Sequence, residues 1–281
     1  MEYAIAPDGA RIAWSSTGRH TGVEPGVETG TDTSDGAGDP VVLIAGQGVS
    51  SRSWSPLLPA FASRHRVITV DTRGVGDSEP GTDARFTTAA LAEDVVAVLD
   101  AAGIDRAHVY GHSMGGRVAQ WFAINHPDRL GALVLGATSG GDARGLTRSV
   151  TVAQRMARGD ALSMGPLFFT DAFITSHPEL VAAMFVRPTS IHTRRLLFDA
   201  STAHDAWDRL PGITAPTLVL HGDADEVTPP GNGERLAEHI PNAAFGELPG
   251  LRHGYFLESE WATDAVLRFF AAHPLDGPPA A

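Results

Sequence analysis

Gly111-His112-Ser113-Met114-Gly115-Gly116 follows a short apolar run, Ala107-His108-Val109-Tyr110, and precedes an amphipathic stretch that begins at Arg117. This order puts a serine on a sharp turn between a buried strand and a helix. Glycines at 111 and 115 let the two elements come close together, and they permit the strained backbone on which a nucleophile is presented. The same letters also fit a plain turn closed by an N-capping serine. Partners elsewhere in the chain decide between the two readings.

Working outward, residues 41–45, 67–70, 107–110, 130–135 and 217–220 are near-continuous apolar runs, the pattern of parallel strands buried on both faces. Helical stretches at 54–62, 88–102, 116–125, 233–239 and 258–272 alternate with them, which predicts a doubly wound α/β sheet. Residues 3–6 and 11–15 flank Pro7-Asp8-Gly9-Ala10 and read as an antiparallel hairpin at one edge. Residues 18–40 are rich in Gly, Thr and Asp and read as a long surface loop, because they offer little apolar surface to offset their ordering entropy.

Between 141 and 211 the alternation stops. Helix-like pieces at 153–158, 161–169, 178–185 and 191–203 follow one another without a strong strand, as in a helical cap inserted between two strands. The expected division is a core of residues 1–140 and 212–281 with a cap at 141–211. The cap carries Met156, Met164, Phe168, Phe169, Phe173, Met184, Phe185 and Phe198. Phe168 and Phe169 are the candidates to touch substrate, and the others are expected to pack cap against core.

The 281 residues carry a net charge of -12, which argues against a broad nucleic-acid or anionic-membrane surface. No basic and apolar leader and no membrane-length apolar run is visible, so a cytoplasmic protein is the expectation. The absence of cysteine removes thiol nucleophiles and cysteine metal sites. With no H-E-x-x-H spacing either, no metal and no cofactor is expected.

A serine hydroxyl is a poor nucleophile at neutral pH, so Ser113 needs a base, and the base benefits from a carboxylate that fixes its tautomer. His253 stands out among twelve histidines because it follows the last strand-like segment, in a loop that can face the turn at Ser113. His112 is expected to point away from the nucleophile, and His108, His126 and His221 read as structural. In His221-Gly222-Asp223-Ala224-Asp225-Glu226, Asp225 is the chosen acid. Asp223 is expected to order the turn and Glu226 to face solvent, with Asp142 as the fallback. The backbone N–H groups of Met114 and of Gln47, in Gly46-Gln47-Gly48, are the candidate oxyanion donors. That Gly-Gln-Gly also fits a tight turn or, more weakly, a phosphate loop. The Gln47 side chain is a further candidate for contact with substrate.

In this order the motifs resemble the α/β-hydrolase superfamily from about residue 41 to 270. The resemblance rests on Gly46-Gln47-Gly48 with Ser51 and Trp54, the segment 71–78, Gly111 to Gly116, His126-Pro127, the segment 221–229, and His253. The chain is similar to the 3-oxoadipate enol-lactonases and non-haem haloperoxidase-like serine esterases. This implies an eight-stranded, mostly parallel sheet with a lid, and an acyl-enzyme mechanism in which Ser113, Asp225 and His253 form the triad. The segment 71–78 matches a loop with a structural role near the site. One departure is Ala45-Gly46, where the family commonly has His-Gly, so a side chain that braces the oxyanion loop is missing. The expected partner is a small-molecule ester or lactone, largely apolar. Two alternatives stand beside hydrolysis: a cyclase, eliminase or perhydrolase on the same site, and a lidded small-molecule receptor that retains the triad.

Overall fold

Strands that are apolar on both faces need cover on both sides. In the computed structural model, which describes residues 1–18, 38–186 and 189–275, the strands are β1 (Glu2–Ile5), β2 (Arg11–Gly18), β3 (Pro40–Ile44), β4 (Arg66–Val70), β5 (Ala107–His112), β6 (Leu130–Gly136), β7 (Thr217–Gly222) and β8 (Ala243–Leu248). They form one sheet in the order β1-β2-β4-β3-β5-β6-β7-β8. β1 and β2 pair as an antiparallel hairpin, β2 lies antiparallel to β4, and the remaining neighbours are parallel. The chain belongs to the α/β class with the eight-stranded, mostly parallel sheet expected.

The helices are α1 (Leu58–Ala62), α2 (Thr88–Ala101), α3 (Met114–Asn125), α4 (Val150–Arg158), α5 (Ala161–Phe168), α6 (Asp171–Ser176), α7 (Pro178–Met184), α8 (Ile191–Thr202), α9 (Gly231–His239), α10 (Tyr255–Glu258) and α11 (Glu260–Ala271). Alternate strand residues feed two cores. Val42, Ile44, Val109, Leu133 and Val219 pack with α2, α3, α8 and α9, while Val41, Leu43, Tyr110, Val134 and Leu220 pack with α1, α11 and the α4–α7 segment. Residues 141–211, expected as a cap, contribute α4 to α8 between β6 and β7.

The topology also locates a crevice. The chain runs from β3 out to β4 and then crosses back to β5 on the other side of β3. Ligands in open α/β sheets bind beyond the carboxyl ends of the strands at such a reversal. The turns after β3 and β5, carrying Gln47 and Ser113, meet there.

Four local differences from the expected elements have physical causes. The helix expected at 54–62 is only α1, preceded by a short 3-10 turn at Ser51–Trp54, because Pro56 and Pro59 lack the N–H groups of a continuous helix. The helix expected at 258–272 divides at Ser259, whose side chain caps α11 by accepting from Ala262 N. α6 was not expected, and Thr170 caps it by accepting from Phe173 N. Phe198 is 52 % exposed on α8, so it is not a packing residue. The surface loop expected over 18–40 lies, apart from its ends, outside the described residues.

Candidate active site

The turn after β5 holds Ser113 at φ 58°, ψ −121°, a strained conformation for a residue with a side chain. Two glycines make the turn sterically feasible. A Cβ on Gly111 would come within 2.3 Å of the Gly115 carbonyl oxygen, and one on Gly115 within 2.2 Å of the Ile44 oxygen. The expected close approach of strand and helix is therefore real. The turn is held by Ser113 N donating to Gly136 O at 2.8 Å and by Thr138 Oγ1 donating to Ser113 O at 2.7 Å. The N-cap alternative does not apply, since the Ser113 side chain makes no capping bond to α3.

That side chain turns to His253. Ser113 Oγ lies 2.9 Å from His253 Nε2, and His253 Nδ1 lies 2.8 Å from Asp225 Oδ2. A carboxylate can only accept, so Nδ1 carries the proton and Nε2 is free to accept from the serine. Asp225 is fully withdrawn from solvent, and its Oδ1 accepts the amides of Val227 and Thr228 at 2.8 and 2.9 Å. Burial by itself would raise its pKa, but His253 and His221 outweigh burial and hold the carboxyl well below its ordinary range. The group at Asp225 is thus an anion that supports positive charge on His253.

The other candidates separate cleanly. Asp142 pairs with Arg117 at 2.6 Å. Asp223 accepts the amide of Gly250 at 2.6 Å, so its side chain orders the loop that leads to His253 instead of its own turn. Glu226 is exposed. His108 packs against Phe270 and accepts from Ala132 N, and His126 bonds Glu93.

Two histidines make contacts that the sequence reading did not include. The Nε2 of His112 donates to the backbone carbonyl of His253 at 2.8 Å. Burial, then the neighbouring His253, pushes its pKa down to about 3, so it remains a neutral donor. His221 is not fully satisfied. Its Nε2 faces Thr228 O at 2.8 Å and Asp225 Oδ2 at 3.2 Å, while its buried Nδ1 has no partner. The acid thus meets two histidines. Behind the turn, the buried hydroxyls of Tyr110 and Tyr255 lie 3.0 Å apart, and burial pushes both pKa values up. The His112–His253 and Tyr110–Tyr255 pairings have no local sequence signal, because their partners are 141 and 145 residues apart.

Gly46 adjoins the serine closely enough that a Cβ there would lie 3.7 Å from Ser113 Oγ. This brings Gln47 to the crevice, with its side chain half-buried. Met114 opens α3, so its N–H has no acceptor within its own helix. The bracing absent at Ala45 comes from another direction. Asp71 accepts Ser51 N at 2.7 Å and Asp77 N at 2.9 Å, joining the segment after Gln47 to the 71–78 loop. Arg73 anchors that loop in turn, between Asp94 and the hairpin's Asp8.

The α5–α6 junction lies directly on the His253 loop. Gly254 N donates to Phe168 O at 2.7 Å, and Arg252 Nη1 donates to Pro166 O at 3.0 Å and Phe169 O at 2.7 Å. Thr170 donates through N and Oγ1 to Glu258. The Phe168 ring stands edge-on to the His253 ring at 4.8 Å. Phe169, by contrast, is fully buried, stacked on Phe173 and pressed against Gly254. It packs the junction to the loop, so the expected substrate contact at Phe169 is replaced by a packing role.

Among the described residues, no group of three or more His, Cys, Asp or Glu is placed to hold a metal ion, and no helix is long and apolar enough to cross a membrane. The alpha/beta hydrolase fold model matches residues 39–260. A Caulobacter protein provisionally named as the carbamate hydrolase RutD is 32% identical over 244 residues, spanning 82% of this chain and 90% of the relative. The enol-lactonase of Burkholderia xenovorans LB400 superposes with a TM-score of 0.78 at 27% identity, over 95% of this chain and 99% of its own. The Rhodococcus esterase RhEst1 superposes with a TM-score of 0.81 at 25% identity, over 96% and 98%. With its sheet, its crevice and these matches in agreement, the chain belongs to the alpha/beta hydrolase family and is a hydrolytic enzyme.

Proposed function

We propose that the protein is a serine hydrolase that cleaves a small or medium, largely apolar carboxylic ester or lactone through an acyl-enzyme on Ser113. The observation that carries this reading is the unbroken chain from Ser113 Oγ to His253 Nε2 at 2.9 Å and from His253 Nδ1 to Asp225 at 2.8 Å. His253 takes the hydroxyl proton as Oγ attacks the carbonyl carbon, and the resulting imidazolium is stabilised by the Asp225 anion. The negative charge that develops on the carbonyl oxygen is met by the amides of Gln47 and Met114, each such donor being worth about 10²–10³-fold in rate. His253 then protonates the leaving oxygen. Water, deprotonated by the same base, attacks the acyl-enzyme and releases the acid.

The insert acts as a cap. Phe168 covers one face of His253 and, with Phe185 packed on it, contributes an apolar wall consistent with an apolar substrate. A small-molecule substrate is the expected partner, in keeping with the lactonase and esterase neighbours. The test is an aryl-ester and lactone panel run on wild type and Ser113→Ala. Turnover is expected to fall by about 10⁶-fold, with an acyl adduct on Ser113 detected by mass spectrometry in the wild type. An unchanged rate in the variant, or an adduct elsewhere, would overturn the reading.

A further inference from the structure

Arg148 lies in the segment that leads from β6 into α4, and its place is set on two sides. Leu146 exchanges hydrogen bonds with the Asn232 side chain, N to Oδ1 at 2.8 Å and O to Nδ2 at 2.9 Å. Asn232 is fully buried and also bonds Pro229 O, so the segment is pinned to the end of the acid loop. Val152, one turn further on, is buried in the apolar cluster that contains Val227 and Phe168. Arg148 therefore stands between the acid loop and the cap.

Its guanidinium is half-buried, yet among the described residues it has no carboxylate partner. Its one hydrogen bond is from Nη1 to the Met156 thioether at 2.9 Å, a weak acceptor without charge. Nε and Nη2 bond no protein group among the described residues, and neither is sealed from solvent. Burial is the main influence on the group and disfavours its charge, while Asp142 and Asp225 act in the opposite sense. Both carboxylates are committed elsewhere, Asp142 to Arg117 at 2.6 Å and Asp225 to His253 and two amides. Arg117 and Arg252, also in contact with the cap, by contrast each reach a carboxylate, Asp142 at 2.6 Å and Asp171 at 3.2 Å.

A guanidinium drawn out of water without a counter-charge is unfavourable, and an open fork of N–H groups fits a carboxylate. We propose that Arg148 is a substrate-binding residue whose open N–H groups receive a carboxylate carried by the ester or lactone, apart from the carbonyl that reacts. The inference rests on the Ser113 hydrolase reading and narrows its substrate class to largely apolar esters or lactones with one anionic end. A local cation also answers a general obstacle, since a protein of net charge -12 repels anions at long range.

The test compares p-nitrophenyl monoesters of the dicarboxylic acids from succinic to adipic with neutral alkanoates of matched length. Wild type is expected to prefer the carboxylated ester at one length or more, and Arg148→Gln to lower the ratio of the two kcat/KM values by about 10–100-fold. Arg148→Lys should keep part of the preference. Simple damage to the cap lowers both rates and leaves the ratio unchanged. A wild type without preference at any length, or a ratio unmoved in Arg148→Gln, overturns the proposal. A second arm measures calorimetric binding of the monomethyl esters of the same acids to Ser113→Ala, with and without Arg148→Gln. If no ester is cleaved in a Ser113-dependent way, the hydrolase reading fails, and this arm still decides the subsite. Binding that does not depend on Arg148, or no binding, overturns it.

Discussion

The crevice at the strand ends and the helical segment above it hold their residues by different means. In the crevice, backbone does the positioning: Ser113 is fixed by its own dihedral angles and by Gly136 O, and Asp225 by two amides of its own loop. In the α4–α8 segment, side chains do it, through apolar packing and through the seam of polar bonds to residues 252–258. On the proposed reading, chemistry sits on the element that backbone positions, while shape and charge preference sit on the one that side-chain changes can alter. The comparison breaks most sharply at Asp225. Asp225→Asn retains an oxygen for the Val227 and Thr228 amides, so the fold should persist. The carboxylate that orients His253 is lost, and kcat on an aryl ester should fall by about 10⁴-fold. A drop of tenfold or less, with native circular dichroism, would show that the crevice is not organised as described.

On the other side of the comparison, Phe169→Ala should act mainly on stability. The ring fills the seam between the α5–α6 junction and Gly254, and its removal should cost about 3–5 kcal/mol in urea unfolding. Phe198→Ala, on the exposed face of α8, should stay within about 0.5 kcal/mol. Equal effects at the two positions would mean that the seam carries no more packing than the cap's outer surface.

The same division explains what could be read from the residues alone. Ser113 was legible because its turn needs glycines within two positions on either side, and Asp225 because it follows an apolar strand in a loop with few alternatives. The His112 bond to the His253 carbonyl spans 141 residues, and the Arg252 contacts with Pro166 and Phe169 span 86 and 83. Pairings of that range depend on how loops meet, not on any local pattern. Phe168 and Phe169 are adjacent and chemically identical, yet one faces His253 and the other the packed seam. Only the end of α5, where the backbone turns from helical to extended at Phe169, separates them.

A smaller effect is expected at Arg252. Arg252→Ala leaves two carbonyls at the seam without their donor and loosens the residue next to His253. The expected result is a fall in kcat of about tenfold, the scale of a lost charge-assisted hydrogen bond, with KM moving less. Arg252→Lys should recover part of it. A change confined to KM would place the seam's influence on substrate binding instead of on the base.

A further effect concerns neither region alone but the joint between them. His204, at the end of the cap, is buried between Thr88 of α2 and Gln120 of α3. Burial, then the nearby Arg117, pushes its pKa down to about 3. In the unfolded chain it titrates near 6.5, so below that pH the unfolded state binds a proton that the folded state refuses. The stability it contributes is therefore complete above about pH 6.5 and is lost progressively as the pH falls towards 3. Between 6.5 and 5 the loss amounts to about 2 kcal/mol, at 1.36 kcal/mol per unit. Asp225 and Asp8, held low, begin to lose their contribution only as the pH enters the ordinary carboxylate range, so they do not mask this window. Urea unfolding at pH 7.5 and pH 5.0 should show wild type losing more stability than His204→Gln by about that amount. Equal losses in the two proteins would mean that His204 accepts its proton without leaving the folded joint.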